Sequence, residues 1–239
     1  MFSMRSRLST EEECCTGSKR RPNTYRVAVS DPTTATRVRR HPERGAYERG
    51  TIDAILDEAR ICHVGFVHER RPFVIPTIHA RSGDTLYVHG SPASRMLRTL
   101  SEGIDVCVTA TLLDGIVLAR SVYNHSMNYR SAVVLGRARA LEDTAEKLAA
   151  LEAIVEHVVP GRWSDARLPT TKELKGTVVL ELPLDEASAK IRTGPPSDFD
   201  EDLELGVWAG VIPLSLEAGA PEPDPAQGLG VPLPAYLAG

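Results

Sequence analysis

The sequence predicts a mainly β fold with a few helices, in which six or seven mostly antiparallel strands close, or nearly close, into a barrel. Three observations predict it. Short apolar runs recur through the middle of the chain, turn signals separate them, and two amphipathic helical stretches flank them. The 239 residues suit one domain with tails, and 42% hydrophobic against 25% charged residues is ordinary globular composition.

Residues 1–36 are rich in Arg, Ser, Thr and Glu without apolar periodicity and read as a disordered N-terminal tail. A single domain is expected over 37–216. It opens with a helix at 51–60, because Ile52, Ile55, Leu56 and Ala59 fall on one face. Strands at 61–67 and 73–80 flank a charged turn at 69–71, and Ser82, Gly83 and Asp84 turn the chain into a strand over 85–89. A helix then runs to about Leu100 and stops at Gly103. Strands 106–112 and 116–122 are expected as a hairpin, since Asp114-Gly115 is the pair that tight hairpin turns favour. Residues 132–141 continue the sheet. Asp143 with Glu146 three residues on resembles a capping box, opening a helix with Leu148, Leu151, Ile154, Val155 and Val158 on its apolar face. A last strand covers 176–182. From 217 to 239 the density of Pro and Gly rules out regular elements, and Pro234-Ala235-Tyr236-Leu237 is placed to dock a Tyr and a Leu on the body.

Charge and composition exclude some functions. The net charge of −4 does not suit a protein that coats nucleic acid, and the apolar runs are too short to span a membrane. The N-terminus lacks the apolar core of a signal peptide, which points to the cytoplasm. Cys14 and Cys15 are adjacent in the polar tail, whereas Cys62 and Cys107 sit in apolar runs and read as buried thiols. No zinc spacing is present.

Four clusters hold residues suited to chemistry. In LYVHGSPASRML (86–97), Ser91 and Pro92 sit where a helix cap and first turn belong. Ser91, Ser94 and Arg95 can gather at that end as a phosphate cradle. Taken alone, a plain capped helix explains the stretch more simply. HSMNYRS (125–131) is dense in donors and reads as a polar loop, although Tyr129 and Arg130 run straight into apolar Ala132, Val133 and Val134. In SAKIRTG (188–194), Lys190 and Arg192 point to the same side of an extended chain. Trp208, in WAGVIPL, is either a core anchor or the flank of a planar ligand. His63, His79, His89 and His125 lie in or beside strands. They fit structural hydrogen bonding or ligation of a metal or haem, and no pair has a diagnostic spacing.

Together CHVGFV, RPFVIPTIHA, LYVHGSPASRML and DGIVLARSVYNHSMNYRSAVVLGRA, followed by SAKIRTG and WAGVIPL, resemble the pyridoxamine-phosphate-oxidase-like flavin-binding split barrels. More narrowly they are similar to the nitroimidazole-resistance-like branch, over residues 41–214. The resemblance implies a six-stranded, mostly antiparallel Greek-key split barrel with flanking helices. It implies a homodimer with FMN in each of two clefts at the subunit interface. By the same resemblance Pro76, Thr77, Ile78 and His79 line the isoalloxazine ring. His89, Ser91, Ser94 and Arg95 approach the phosphate or the flavin edge, and Tyr129, Arg130 and Ser131 hold the cofactor. Lys190, Arg192 and Trp208 come to the cleft late in the chain. His89 is the candidate catalytic residue, as proton donor or substrate contact; a hydrogen bond that fixes the turn is the alternative.

These assignments suit FMN physically. Its phosphate dianion needs cations and N–H donors, its ring needs a slot, and the flavin itself carries the electrons. The implied function is an FMN-dependent oxidoreductase, a reductase of nitroaromatic or other small aromatic compounds. A vitamin B6 oxidase is not favoured, because no pyridoxine-phosphate site is evident. The alternatives are a non-catalytic flavin-binding or sensing protein and a haem-binding member of the same fold. Ser91, Arg95 and residues 129–131 are expected to converge on one interface cleft.

Overall fold

The computed structural model describes residues 32–226 and 230–237. Cys14, Cys15 and nearly all of the expected tail lie outside the described residues. The first elements are β1 (Gly45–Ala46), α1 (Arg49–Glu58), β2 (Cys62–His68), β3 (Arg71–Thr77), β4 (His79–Ser82) and β5 (Thr85–Gly90). Next come α2 (Arg95–Ser101), β6 (Asp105–Leu118), β7 (Ser126–Arg137), β8 (Arg139–Ala140), α3 (Thr144–Val158), α4 (Arg162–Asp165) and α5 (Thr171–Lys175). The chain closes with β9 (Val178–Pro183), β10 (Glu186–Arg192) and β11 (Gly210–Pro213).

Two antiparallel sheets result. One has the order β1-β10-β7-β6-β2-β3, with β11 pairing the far half of β6; the other has the order β4-β5-β9-β8. The chain passes between them at Ile78, through α2, at Ala138 and after β9, so the sheets are two walls of one barrel. The architecture is a split barrel, as the sequence implies. Val64, Phe66, Leu86, Val88, Val108, Val134 and Leu180 fill the space between the walls, and α1 and α2 add Ile55, Leu56, Leu97 and Leu100. A smaller cluster lies outside the second sheet, where Ala150 and Leu151 of α3 cover Leu141, Val179 and Tyr87.

Local chemistry explains several elements. Glu69 and Arg70 both have positive φ (49° and 63°), so a two-residue turn of the kind that matches strand twist closes β2 and β3. α2 ends before Gly103, whose φ of 72° suits a residue without a side chain. Asp143 caps α3 by accepting from the N–H groups of Ala145 and Glu146. Tyr236 does dock: its hydroxyl donates to Asp165 at 2.7 Å.

Six expectations need correction. Residues 106–122 do not form a hairpin: β6 runs unbroken through Asp114-Gly115, which forms a bulge opposite Tyr129 and Asn128. The strand expected over 73–80 breaks at Ile78, where the chain changes sheets. Residues 126–131 are not a loop but the start of β7, and their donors alternate across a sheet. The second helix starts at Arg95 rather than after Ser91, and Ser91 builds the preceding turn. Cys62 is buried, whereas Cys107 is only half-buried. On α3, Ala150 and Ile154 are buried and Val158 is exposed.

Candidate functional site

Strand register sorts the candidate residues by face. His63 pairs with Pro76 and Thr109, Ser131 with Thr111 and Lys190, and Tyr129 with Leu113 and Arg192. Alternation therefore sets Pro76, His63, Ser131, Tyr129 and Lys190 on the outer face of the first sheet, away from the core side of Val64, Val108 and Val134. This face also exposes Val74 and Leu113.

Arg130 belongs to the opposite face. Its Nε and Nη2 donate to Asp114 at 3.0 and 2.8 Å, and its Nη groups donate to Glu58 of α1. Hydrogen bonds to Glu58 and then Asp114 raise its pKa above the ordinary arginine value, and the bond from Arg130 holds Glu58 below the usual carboxylate range. Arg192 is 6% exposed. Its guanidinium donates to Asn128 Oδ1 and to the carbonyls of Gly194 and Pro195, fastening the turn after β10. Trp208 is not a core anchor: it is 65% exposed and its ring lies against Gly210.

Three of the four histidines the sequence singles out near the flavin motifs differ sharply in access. His79 is fully buried and donates from Nε2 to Leu56 O at 2.9 Å, while its ring lies 5.1 Å from that of His157. Burial drives its pKa down to about 4, so it is neutral. His89 is half-buried, and burial lowers its pKa as well. It shares the face of β5 with Tyr87, the face on which α3 packs, and its Nδ1 has no partner. His125 is exposed; its Nδ1 donates to Ser121 O at 2.9 Å, which leaves Nε2 as the ring's acceptor nitrogen.

Ser91, Ser94 and Arg95 lie beside β3. Ser91 Oγ accepts from Ala93 N, Ser94 precedes α2, and the Arg95 guanidinium stacks over Phe73 at 4.8 Å. Arg95, Phe73, Arg71, His68 and Glu69 line an open cleft of about 570 Å³. β3 is the edge of its sheet. Pro72 and Pro76 lack N–H groups and do not interrupt the ladder, so Val74 supplies the edge's N–H between carbonyl acceptors. Thr77 ends this strand opposite Cys62, and Ile78 is exposed at the corner.

The candidate residues therefore form two groups. Ser91, Ser94 and Arg95 join Pro76, Thr77 and Ile78 along β3, while Tyr129, Ser131 and Lys190 lie three or more strands away, about 14 Å along the sheet. The expected convergence does not occur within one chain. Sequence reasoning missed Glu58, Asp114 and Asn128, which hold Arg130 and Arg192; their signal is pairing across 72, 16 and 64 residues of sequence. It also missed Phe73 as the floor beneath Arg95.

An open two-walled antiparallel barrel with a free edge strand and an uncovered sheet face defines the split-barrel class. Residues 48–191 match the family described as pyridoxamine 5′-phosphate oxidase, and the chain belongs to this flavin-binding split-barrel family. Three solved structures give the range of similarity. The flavocytochrome Anf3 from Azotobacter vinelandii is 42% identical, with a TM-score of 0.82, covering 87% of this chain and 96% of that one. An FAD- and haem-binding protein from Mycobacterium smegmatis is 38% identical, with a TM-score of 0.78, covering 82% and 96%. A candidate 5-nitroimidazole antibiotic resistance protein from Bacteroides thetaiotaomicron is 28% identical, with a TM-score of 0.53, covering 62% and 86%. No curated protein matches the chain. No helix among the described residues is long and apolar enough to cross a membrane.

Proposed function

We propose that the protein is a flavin- and haem-carrying redox protein that works as a homodimer, with its cofactors between the two copies. The extent of the similarity carries this reading. The family match stops at residue 191, yet the flavocytochrome covers 87% of the chain and the FAD- and haem-binding protein 82%. The likeness therefore includes segments outside the common barrel. These relatives favour FAD over FMN as the flavin.

The residues suit both groups. A flavin's pyrimidine edge carries one donor between acceptors, which complements the Val74 N–H and the carbonyls along β3; Arg95, with Ser91 and Ser94, supplies the cation and hydroxyls for its phosphate. For the haem, His125 would supply Nε2 to the iron, its Nδ1 already held by the Ser121 carbonyl. Beside it are exposed Val122 and Tyr123, with Tyr123 stacked on Phe199 at 6.3 Å. Ser121 Oγ and Asn124 Nδ2 are buried there without protein partners. Bound flavin and haem supply electron transfer; the chain orients them and keeps water from them.

An absorption spectrum tests the reading. The purified protein, or the protein reconstituted with haemin and FAD, is expected to show flavin bands and a Soret band together. His125→Ala should remove or shift the Soret band and leave the flavin bands. Flavin bands with no haem uptake would overturn the haem assignment, and binding of neither would overturn both. A second reading, reduction of nitroaromatic compounds, draws on the match to the Bacteroides protein. Reduction of a nitroimidazole by the flavin-loaded protein with NADH or NADPH checks it. A cytoplasmic location accords with both readings.

A further inference from the structure

The end of the chain differs in charge from the rest. From Thr193 to Gly239 the sequence holds eight Asp or Glu residues and no Lys, Arg or His, although the net charge of the whole chain is −4. Four of these acids, Asp200, Glu201, Asp202 and Glu204, fall in the loop Phe199–Trp208 that leads into β11. None of the four has an ion pair or a side-chain hydrogen bond among the described residues. Interleaved with them are Leu203, Leu205, Val207 and Trp208, all about half-exposed or more. Acids suit a solvated loop and large apolar groups suit a core; a loop that displays both together has the composition of a contact surface.

The loop is built rather than loose. Asp198 ties its start to Arg120, accepting from the backbone N–H at 2.9 Å and from Nη1 at 2.8 Å, and β11 pairs its end to β6. Between these anchors Asp202 N donates to Phe199 O at 2.9 Å, Leu205 N to Asp202 O at 3.1 Å and Val207 N to Leu205 O at 2.8 Å. The Trp208 ring lies over Gly210, where a Cβ would come within 2.9 Å of it, so the glycine seats the ring while the residue stays 65% exposed. Phe199 stacks on Tyr123 at 6.3 Å, which sets the loop against the segment assigned above to the haem.

We propose that the loop Phe199–Trp208 docks a basic electron-carrier protein, with Leu205 and Trp208 on the carrier's apolar centre and the four acids facing its Lys and Arg rim. The proposal rests on the redox reading above and names the partner of that site. Charge selects this occupant. A second copy meeting the loop isologously would set the acids against themselves, with no cation after Arg192 to offset them. One short loop also falls below the roughly 20–30 residues a side of a stable interface and suits the small, transient contacts of electron transfer. One electron crosses: the protein that gives it is oxidised as the other is reduced, and no bond forms or breaks.

Stopped-flow mixing tests this. The cofactor-loaded protein, reduced with dithionite and desalted, is mixed with a small c-type cytochrome that has a lysine-rich face. The second-order rate constant should fall at least about tenfold from low to high salt. The same cytochrome with its lysines succinylated should react more slowly and speed up as salt is added. Glu201→Lys with Glu204→Lys should cost at least about tenfold at low salt and flatten the salt dependence, with the cofactor spectrum unchanged. Leu205→Ser should slow the reaction at every salt concentration and keep its slope. The same charge change at exposed Glu142 and Glu152 should cost less than about twofold. A rate independent of salt, an unchanged rate in either loop variant, or equal losses from the two charge changes would overturn the proposal and leave the redox reading intact. If the loop variants instead shift the monomer–dimer balance in sedimentation velocity, the loop is a contact between copies and the proposal falls. A protein that takes up neither flavin nor haem overturns the redox reading and this proposal together.

Discussion

Arg130 sits in the cluster that the sequence offers to a cofactor, but it makes four hydrogen bonds to two carboxylates, Glu58 and Asp114, on the core side of the sheet. It joins α1 to the bulge in β6. Arg130→Met should therefore lower stability by about 1–2 kcal/mol, because two carboxylates then face each other without a cation, and should leave flavin affinity unchanged. Arg130→Lys should not restore it, since an ammonium cannot bridge both partners. Denaturant titration and flavin binding check both. Because Arg130 holds Glu58 below its ordinary pKa, this contribution is present above that value and is lost as pH falls through the depressed one. His79 acts in the same direction at higher pH. The unfolded histidine takes up a proton near 6.5, whereas the buried ring resists until about 4. Stability should thus decline as pH falls from 6.5 to 4, by up to about 3 kcal/mol from this group. His79→Gln keeps a donor for Leu56 O and removes the titration, so its stability should be flatter across that window. An unchanged slope would assign the acid sensitivity elsewhere.

The bulge is the clearest case where an element was only half legible. Asp114-Gly115 has the composition of a hairpin turn, and local chemistry cannot distinguish a turn from a bulge. Pairing decides it, because β7 opposes both halves of β6 and β11 adds to the second half. The donors of residues 126–131 misled for a related reason. In a strand with one face on the core end and one face uncovered, polar residues occupy both sides, so the alternating apolar signal is lost until Ala132. Residues with local partners were legible: the α1 face, the Asp143 cap, the Ser82-Gly83-Asp84 turn and the stop at Gly103. Gly115 adds a requirement visible only in three dimensions. A side chain there would meet Val211 Cγ1 at 2.9 Å and the backbone oxygen of Ile212 at 3.1 Å. Gly115→Ala should therefore displace β11 and cost about 1–3 kcal/mol. Limited proteolysis should cut the variant near residues 205–216 faster than the wild type; equal rates would show that β6 absorbs the methyl group.

At the scale of the molecule, the outer face of the seven-stranded sheet decides whether the site is complete. Both faces of the second sheet are covered, by the core and by α3, yet Val74 (66% exposed) and Leu113 (53% exposed) stand on the uncovered outer side of the first. The two groups of candidate residues also remain apart in one chain: Arg95 beside β3, and Tyr129, Ser131 and Lys190 across the sheet. The family resemblance names the candidate residues, and strand order leaves them in two groups within one chain. If two copies meet through this face, Tyr129 and Lys190 of one can approach the β3 edge of the other. Leu113→Asp buries charge at that contact without touching the core or the β3 edge. It should weaken dimerisation at least about tenfold, as seen by sedimentation velocity. Flavin affinity should fall with dimer content and recover at high protein concentration, because the cations on β3 remain intact. A monomeric wild type, or a variant that loses its dimer yet holds flavin equally well at every concentration, would mean that each chain carries a complete site on its own.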